Sequence, residues 1–81
     1  MLIFYTLTGC GYCATVLRKL DELGLKFEER NIADPAISAE LIARGGKRQV
    51  PYLVDTERGV EMYESEDIAE YLEKHYAPGK E

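Results

Sequence analysis

Near its start the chain runs Leu2-Ile3-Phe4-Tyr5-Thr6-Leu7, six residues almost unbroken in apolar, β-branched or aromatic character. A strand that alternates keeps one face for water, whereas a continuous apolar run keeps none. This segment therefore predicts a central strand covered on both faces. With 81 residues the chain has too little length for two cores, so one compact domain over residues 1–81 is expected around that strand.

The rest of the chain supplies the cover. Thr8-Gly9 ends the strand, and from Cys13 the apolar positions Val16, Leu17, Leu20 and Leu23 recur at helical spacing while Arg18, Lys19, Asp21 and Glu22 take the other face. Gly24 is the expected helix stop. Lys26 to Ile32 reads as a second strand. Asp34-Pro35 gives an N-cap followed by proline at the first helical position, and the helix it opens should run to about Ala43 and close at Gly45-Gly46. Tyr52-Leu53-Val54 and Val60 to Tyr63, joined through Arg58-Gly59, predict a hairpin. Ser65 is the expected cap of a last helix, with Ile68, Ala69, Leu72 and Tyr76 inward and Glu66, Asp67, Glu70 and Glu73 outward or in the first turn. The order is β-α-β-α-β-β-α: an α/β protein with a parallel strand pair, a closing antiparallel hairpin, and a four-stranded mixed sheet flanked by helices. That order resembles the core of the thioredoxin fold.

Charge narrows the function classes. A net charge of −5 and a pI near 4.9 exclude a general nucleic-acid surface, and the only basic cluster, Lys47-Arg48, is small. No apolar run approaches the roughly 20 residues that span a bilayer, so no membrane role is expected. The opening Met1-Leu2-Ile3-Phe4-Tyr5 lacks the basic start and cleavage site of a secretory signal, which makes the cytoplasm the expected compartment.

Cys10 and Cys13 are separated by two residues. A disulfide closing so short a loop removes little unfolded-state entropy, which argues against a structural staple. Structural zinc needs four ligands, and beyond the two cysteines the chain has only His75, in a distant helical segment. Redox chemistry remains, beside the plainer reading of two half-buried cysteines at a helix start. Cys10 falls between the first strand and the first helix, where free N–H groups and the positive helix end favour thiolate over thiol. Cys13, three residues before Val16, belongs to the apolar helix face and is the expected sheltered partner.

Thr8-Gly9-Cys10-Gly11-Tyr12-Cys13 resembles the active site of the glutaredoxin family, usually Cys-Pro-Tyr-Cys, with Gly11 in place of proline. Gln49-Val50-Pro51 is similar to that family's Thr-Val-Pro, and Glu64-Ser65-Glu66-Asp67-Ile68 resembles the glutathione-binding end of glutaredoxins and of the glutathione transferase N-terminal domain. The resemblance implies a thioredoxin fold and a thiol–disulfide oxidoreductase in which Cys10 attacks and Cys13 resolves. Glutathione is the implied co-substrate, and disulfide-containing or glutathionylated proteins are the implied partners. It implies a cis Val50-Pro51 bond, where local sequence alone favours a trans proline opening a strand. Val50 would then pair with the cysteinyl part of glutathione. Ser65 and Glu66 would hold the γ-glutamyl carboxylate at a helix start, and Glu64, Glu66 or Asp67 its ammonium. An ordinary capped helix explains the same residues equally well. Lys47 and Arg48 are the candidates for the glycyl carboxylate, and Tyr12 for a substrate contact beside the sulfur.

Two departures matter. Many glutaredoxins carry lysine three residues before the reactive cysteine, where this chain has Leu7. Small-residue variants at the position of Gly11 are associated in that family with a [2Fe–2S] cluster shared by two subunits. Cys10 is therefore the candidate ligand of a glutathione-bridged cluster in a dimer, and otherwise a monomer is expected. Two further alternatives are a thioredoxin-reductase-dependent redoxin donating electrons to ribonucleotide reductase, which Glu64-Ser65-Glu66 disfavours, and a detached transferase-like binding module.

Overall fold

The computed structural model describes residues 1–76. Its elements are β1 (Leu2–Thr6), α1 (Gly11–Glu22), β2 (Glu28–Asn31), α2 (Pro35–Gly45), β3 (Tyr52–Asp55), β4 (Val60–Met62) and α3 (Ser65–Tyr76). They form one four-stranded sheet of order β2-β1-β3-β4, in which β1 and β2 are parallel and the β1–β3 and β3–β4 pairs antiparallel. This is the thioredoxin-like α/β fold.

All five residues of β1 are buried, and its side chains divide by pleat. Leu2 and Phe4 join Cys13, Val16 and Leu20 of α1, Leu53 of β3, and Ile68 and Leu72 of α3. Ile3 and Tyr5 point the other way, into a second cluster with Ile32, Leu41, Tyr52 and Val54 beneath α2. The unbroken apolar run thus has its physical cause: it faces α1 and α3 on one side and α2 on the other.

Local chemistry sets the ends of the helices. Asp34 accepts a hydrogen bond from the Ala36 N–H at 2.9 Å with Pro35 opening α2, and Gly46 closes it in the left-handed conformation at φ 95°. In α3, Glu66 and Asp67 lie in the first turn and Lys74 and His75 in the last, complementing the helix dipole at both ends.

Several boundaries differ from expectation: β1, β2 and β4 end at Thr6, Asn31 and Met62, α2 runs on to Gly45, and the starts of β2 and α3 also shift. The second strand begins at Glu28 rather than Lys26: its parallel pairing with β1 starts at Ile3 and Glu28, and the Leu25 N–H before it is still engaged by the Leu20 carbonyl at 3.0 Å. Phe27 instead packs edge-on against Phe4. Ser65 is the first residue of α3 rather than a cap before it. The first helical bond runs from the Ile68 N–H to the Glu64 carbonyl at 2.9 Å, which makes Glu64 the boundary residue.

The far end of α3 is tied to the sheet by a carboxylate. Asp55, fully buried at the end of β3, accepts hydrogen bonds from Tyr71 Oη at 2.7 Å and Tyr76 Oη at 2.5 Å, and from the backbone N–H groups of Glu57 and Arg58. Burial alone would raise its pKa, but these donors outweigh it and hold the carboxyl below its ordinary value. Tyr76 thus faces inward as expected, through a polar contact.

Candidate functional site

β1 carries the chain up to Leu7, and a tight turn then starts α1. The Cys10 N–H donates to the Leu7 carbonyl at 3.1 Å, Gly9 adopts φ 89°, and Asn31 at the end of β2 donates through Nδ2 to Thr8 Oγ1 at 3.0 Å. Cys10 is the N-cap of α1. Its sulfur accepts the backbone N–H of Cys13 at 3.2 Å, the place a serine or aspartate oxygen takes in ordinary caps. The sulfur thus occupies the start of α1, where the helix N–H groups are free of helical carbonyls. Leu7, where a lysine would bring a cation, is half-buried against the cluster beneath α2.

Cys13 lies one turn into α1 and is 2% exposed within the apolar cluster, whereas Cys10 is half-buried. Burial, and then the neighbouring Cys10 sulfur, push the Cys13 thiol up to about 12. The two thiols are therefore unequal: one is accessible and held by a helix start, the other is sheltered and protonated at neutral pH.

Two depressions adjoin this turn. The smaller, of about 150 Å³, is lined by residues 6–10, Cys13, Ala14, Leu17 and Glu29, and so contains both thiols. Glu29 is fixed there by Thr6 Oγ1, which donates to its carboxylate at 3.0 Å. The larger is an open groove of about 520 Å³ lined by Tyr12, Gln49, Val50, Pro51, Glu64, Ser65 and Glu66. Val50-Pro51 is cis. Among the described residues, no hydrogen bond engages the Val50 N–H or carbonyl. The far wall is the start of α3, whose first N–H groups have no partner within the helix.

The groove collects six of the residues singled out in the sequence: Tyr12, Val50, Pro51, Glu64, Ser65 and Glu66. Tyr12 is 71% exposed at its edge. Arg48 is not in the lining; its Nε donates to Ser38 Oγ at 2.9 Å. Lys47 sits over the Tyr63 ring at 5.0 Å. Gln49 and Glu29 carried no assigned role in the sequence reading. Gln49 was legible as the residue before Val50-Pro51, but Glu29 reaches the thiols only through its parallel register opposite Phe4, which local sequence does not encode. Among the described residues no group of three or more potential metal ligands occurs.

Residues 4–80 match the family model for the glutathione S-transferase N-terminal domain. The chain belongs to that family. No curated protein matches it in sequence. Among solved structures it is similar to a glutathione S-transferase from the Antarctic clam Laternula elliptica, with 29% identity and TM-score 0.79 over 93% of this chain and 35% of that one. It is also similar to glutathione transferase E6 from Drosophila melanogaster, with 28% identity and TM-score 0.79 over 98% of this chain and 36% of that one. A glutathione transferase homologue from Sulfitobacter, solved with bound glutathione, shares the fold at 21% identity and TM-score 0.77, over 94% of this chain and 37% of that one. The chain thus spans little more than a third of these relatives. No helix among the described residues is long and apolar enough to cross a membrane.

Proposed function

We propose that the chain is a glutathione-dependent thiol–disulfide oxidoreductase acting on protein disulfides and on mixed disulfides between protein and glutathione. The observation that carries this reading is the pairing of Cys10, capped by the Cys13 N–H at 3.2 Å, with a groove lined by Val50, Pro51 and the start of α3. In that groove Val50 offers N–H and carbonyl to the cysteinyl part of glutathione as an added strand would. The start of α3 receives the γ-glutamyl carboxylate, and Glu64 and Glu66 receive its ammonium. Tyr12 covers the edge nearest the sulfur.

The chemistry runs in balanced steps. With a glutathionylated protein, Cys10 thiolate attacks the glutathione sulfur, the Cys10–glutathione bond forms, and the protein sulfur leaves and takes a proton. A second glutathione thiolate then attacks, releasing oxidised glutathione and restoring Cys10. With a protein disulfide, Cys10 thiolate attacks one sulfur and releases the other as a thiol; Cys13 then displaces the target's remaining sulfur from Cys10, giving its proton to that leaving sulfur, and the Cys10–Cys13 disulfide is reduced by two glutathiones. The compartment proposed for this work is the reducing cytoplasm. A coupled assay with glutathione and glutathione reductase should show turnover, and thioredoxin reductase in its place should not. The reverse result would refute the proposal in favour of the reductase-dependent redoxin.

Family membership favours a second reading, transfer of glutathione to an electrophile. There the attacking sulfur belongs to glutathione and Cys10 is dispensable. Conjugation of an aryl halide by a Cys10→Ser variant at the wild-type rate would establish that reading and displace the first.

A further inference from the structure

The groove is built unevenly along its length. Its α3 end offers helix-start N–H groups and the carboxylates of Glu64 and Glu66, and its middle offers the backbone of Val50, but among the described residues no cationic side chain lines it. The two cations adjacent in sequence are directed elsewhere. Lys47 lies over the Tyr63 ring at 5.0 Å, and its backbone is clamped there: Tyr63 Oη accepts from the Lys47 N–H at 3.3 Å and donates to the Lys47 carbonyl at 2.9 Å. The clamp is tight because Gly45 leaves room for it. A Cβ at position 45 would lie 2.2 Å from Tyr63 Oη. Arg48 is spent on Ser38 of α2.

Freeing either cation to meet a ligand carboxylate gains little. An exposed ion pair is worth no more than the ring contact or hydrogen bond it would replace. The local field also opposes a further carboxylate, since Glu64 and Glu66 line one end of the groove and the chain carries −5. Gln49, which does line the groove, offers a neutral amide that bonds a carboxylate and a carboxamide alike.

We propose that the groove reads the γ-glutamylcysteinyl unit of its ligand and leaves the residue beyond the cysteine unread, so that its ligands are γ-glutamylcysteinyl thiols as a class rather than glutathione alone. This rests on the glutathione-site reading of the groove and not on the redox step, and binding and turnover separate the two.

The test is calorimetric titration of the reduced full chain with three unreactive probes: S-methylglutathione, its glycinamide form, and S-methylcysteinylglycine. The glycinamide is expected to bind as tightly as the acid to within about threefold, or more tightly, and the probe lacking the γ-glutamyl group about tenfold more weakly or worse. A glycinamide about tenfold weaker than the acid would overturn the proposal. So would the absence of binding by all three, which removes the groove assignment with it. Equal binding of acid and glycinamide in a protein without disulfide-reducing turnover would uphold the proposal while refuting the oxidoreductase reading.

Discussion

The starts of α1 and α3 use one physical device to different ends. Each presents N–H groups that no helical carbonyl can reach. At α1 the chain supplies its own acceptor, the Cys10 sulfur, and has no acidic residue in the first turn to compete with it. At α3 Ser65 sits inside the helix, Glu66 and Asp67 share the first turn, and the leading N–H groups border an open groove. One helix start is arranged around a sulfur of the protein itself, whereas the other opens onto a groove, where the proposed function puts an anion from outside. They are also held differently. α1 packs through Cys13, Val16 and Leu20, whereas α3 adds to Ile68 and Leu72 a buried polar anchor, Asp55, at its far end.

The strongest way to break this comparison is to remove the sulfur. Cys10→Ser keeps a capping oxygen at α1 but should lower disulfide reduction and glutathione removal by roughly a thousandfold or more, since a hydroxyl supplies almost no anion at neutral pH. The folded protein should still bind S-methylglutathione at the α3 side. Loss of that binding together with activity would mean that the two helix starts are not separate devices.

The next effect falls on the anchor. Asp55→Asn should destabilise the fold by about 2–3 kcal/mol in chemical denaturation, because a buried charged acceptor of two hydroxyls and two N–H groups is lost. The groove should weaken with it, while alkylation of Cys10 proceeds at its usual rate. Because the fold holds this carboxyl below its ordinary 3.8, its contribution is present at neutral pH and disappears as pH falls through the lowered value. A variant as stable as wild type at pH 7 would show that α3 needs no polar anchor.

How far these features were legible depends on the range of the interaction that makes them. The unbroken Leu2–Leu7 run, the Asp34-Pro35 start and the Gly46 stop are local effects, and the element order followed from such signals with only boundary errors. The groove was legible because its parts lie in short segments, Gln49 to Pro51 and Glu64 to Glu66, whose resemblance to known sites is itself local. The placement of Arg48 on Ser38, Lys47 over Tyr63 and Glu29 beside the thiols was not legible. Each depends on contacts across 10 or more residues, fixed only once the sheet register is set. The polar anchor at Asp55 escaped for the same reason: a carboxylate after Tyr52-Leu53-Val54 reads as a solvated turn residue until Tyr71 and Tyr76 arrive.

Cys13→Ser should produce a smaller, selective change. Removal of glutathione from mixed disulfides should stay within about threefold of wild type, while reduction of protein disulfides falls about tenfold or more, because only the latter needs internal resolution. Equal losses in both assays would argue that glutathione is not the recurring partner. The same variant alters alkaline stability. The fold raises the Cys13 thiol from 9.0 to about 12, so its contribution is complete below pH 9 and is lost as pH climbs towards 12. Denaturation of the reduced protein should weaken across that window, and less steeply in Cys13→Ser. The remaining slope belongs to Tyr71, raised from 10.0 to about 12 mainly by burial, and to the other buried tyrosines.

The smallest effect is expected where sequence resemblance placed a ligand contact and the side chains have other partners within the protein. Lys47→Gln with Arg48→Gln removes both cations beside the groove, yet neither lines it, and their partners, the Tyr63 ring and Ser38, are exposed or half-buried contacts worth little each. The Tyr63 clamp on Lys47 is made by backbone groups, which the substitution leaves in place. Affinity for S-methylglutathione should therefore change by less than about threefold at 0.15 M salt, the residue of long-range attraction that screening leaves. Lowering the salt to 0.01 M should widen the gap between variant and wild type modestly, because the two charges still act through the field. A fall of about tenfold at the higher salt, confined to the acid and absent for its glycinamide, would show that the cations swing into the groove on binding. The start of α3 would then share anion binding in the groove with those cations.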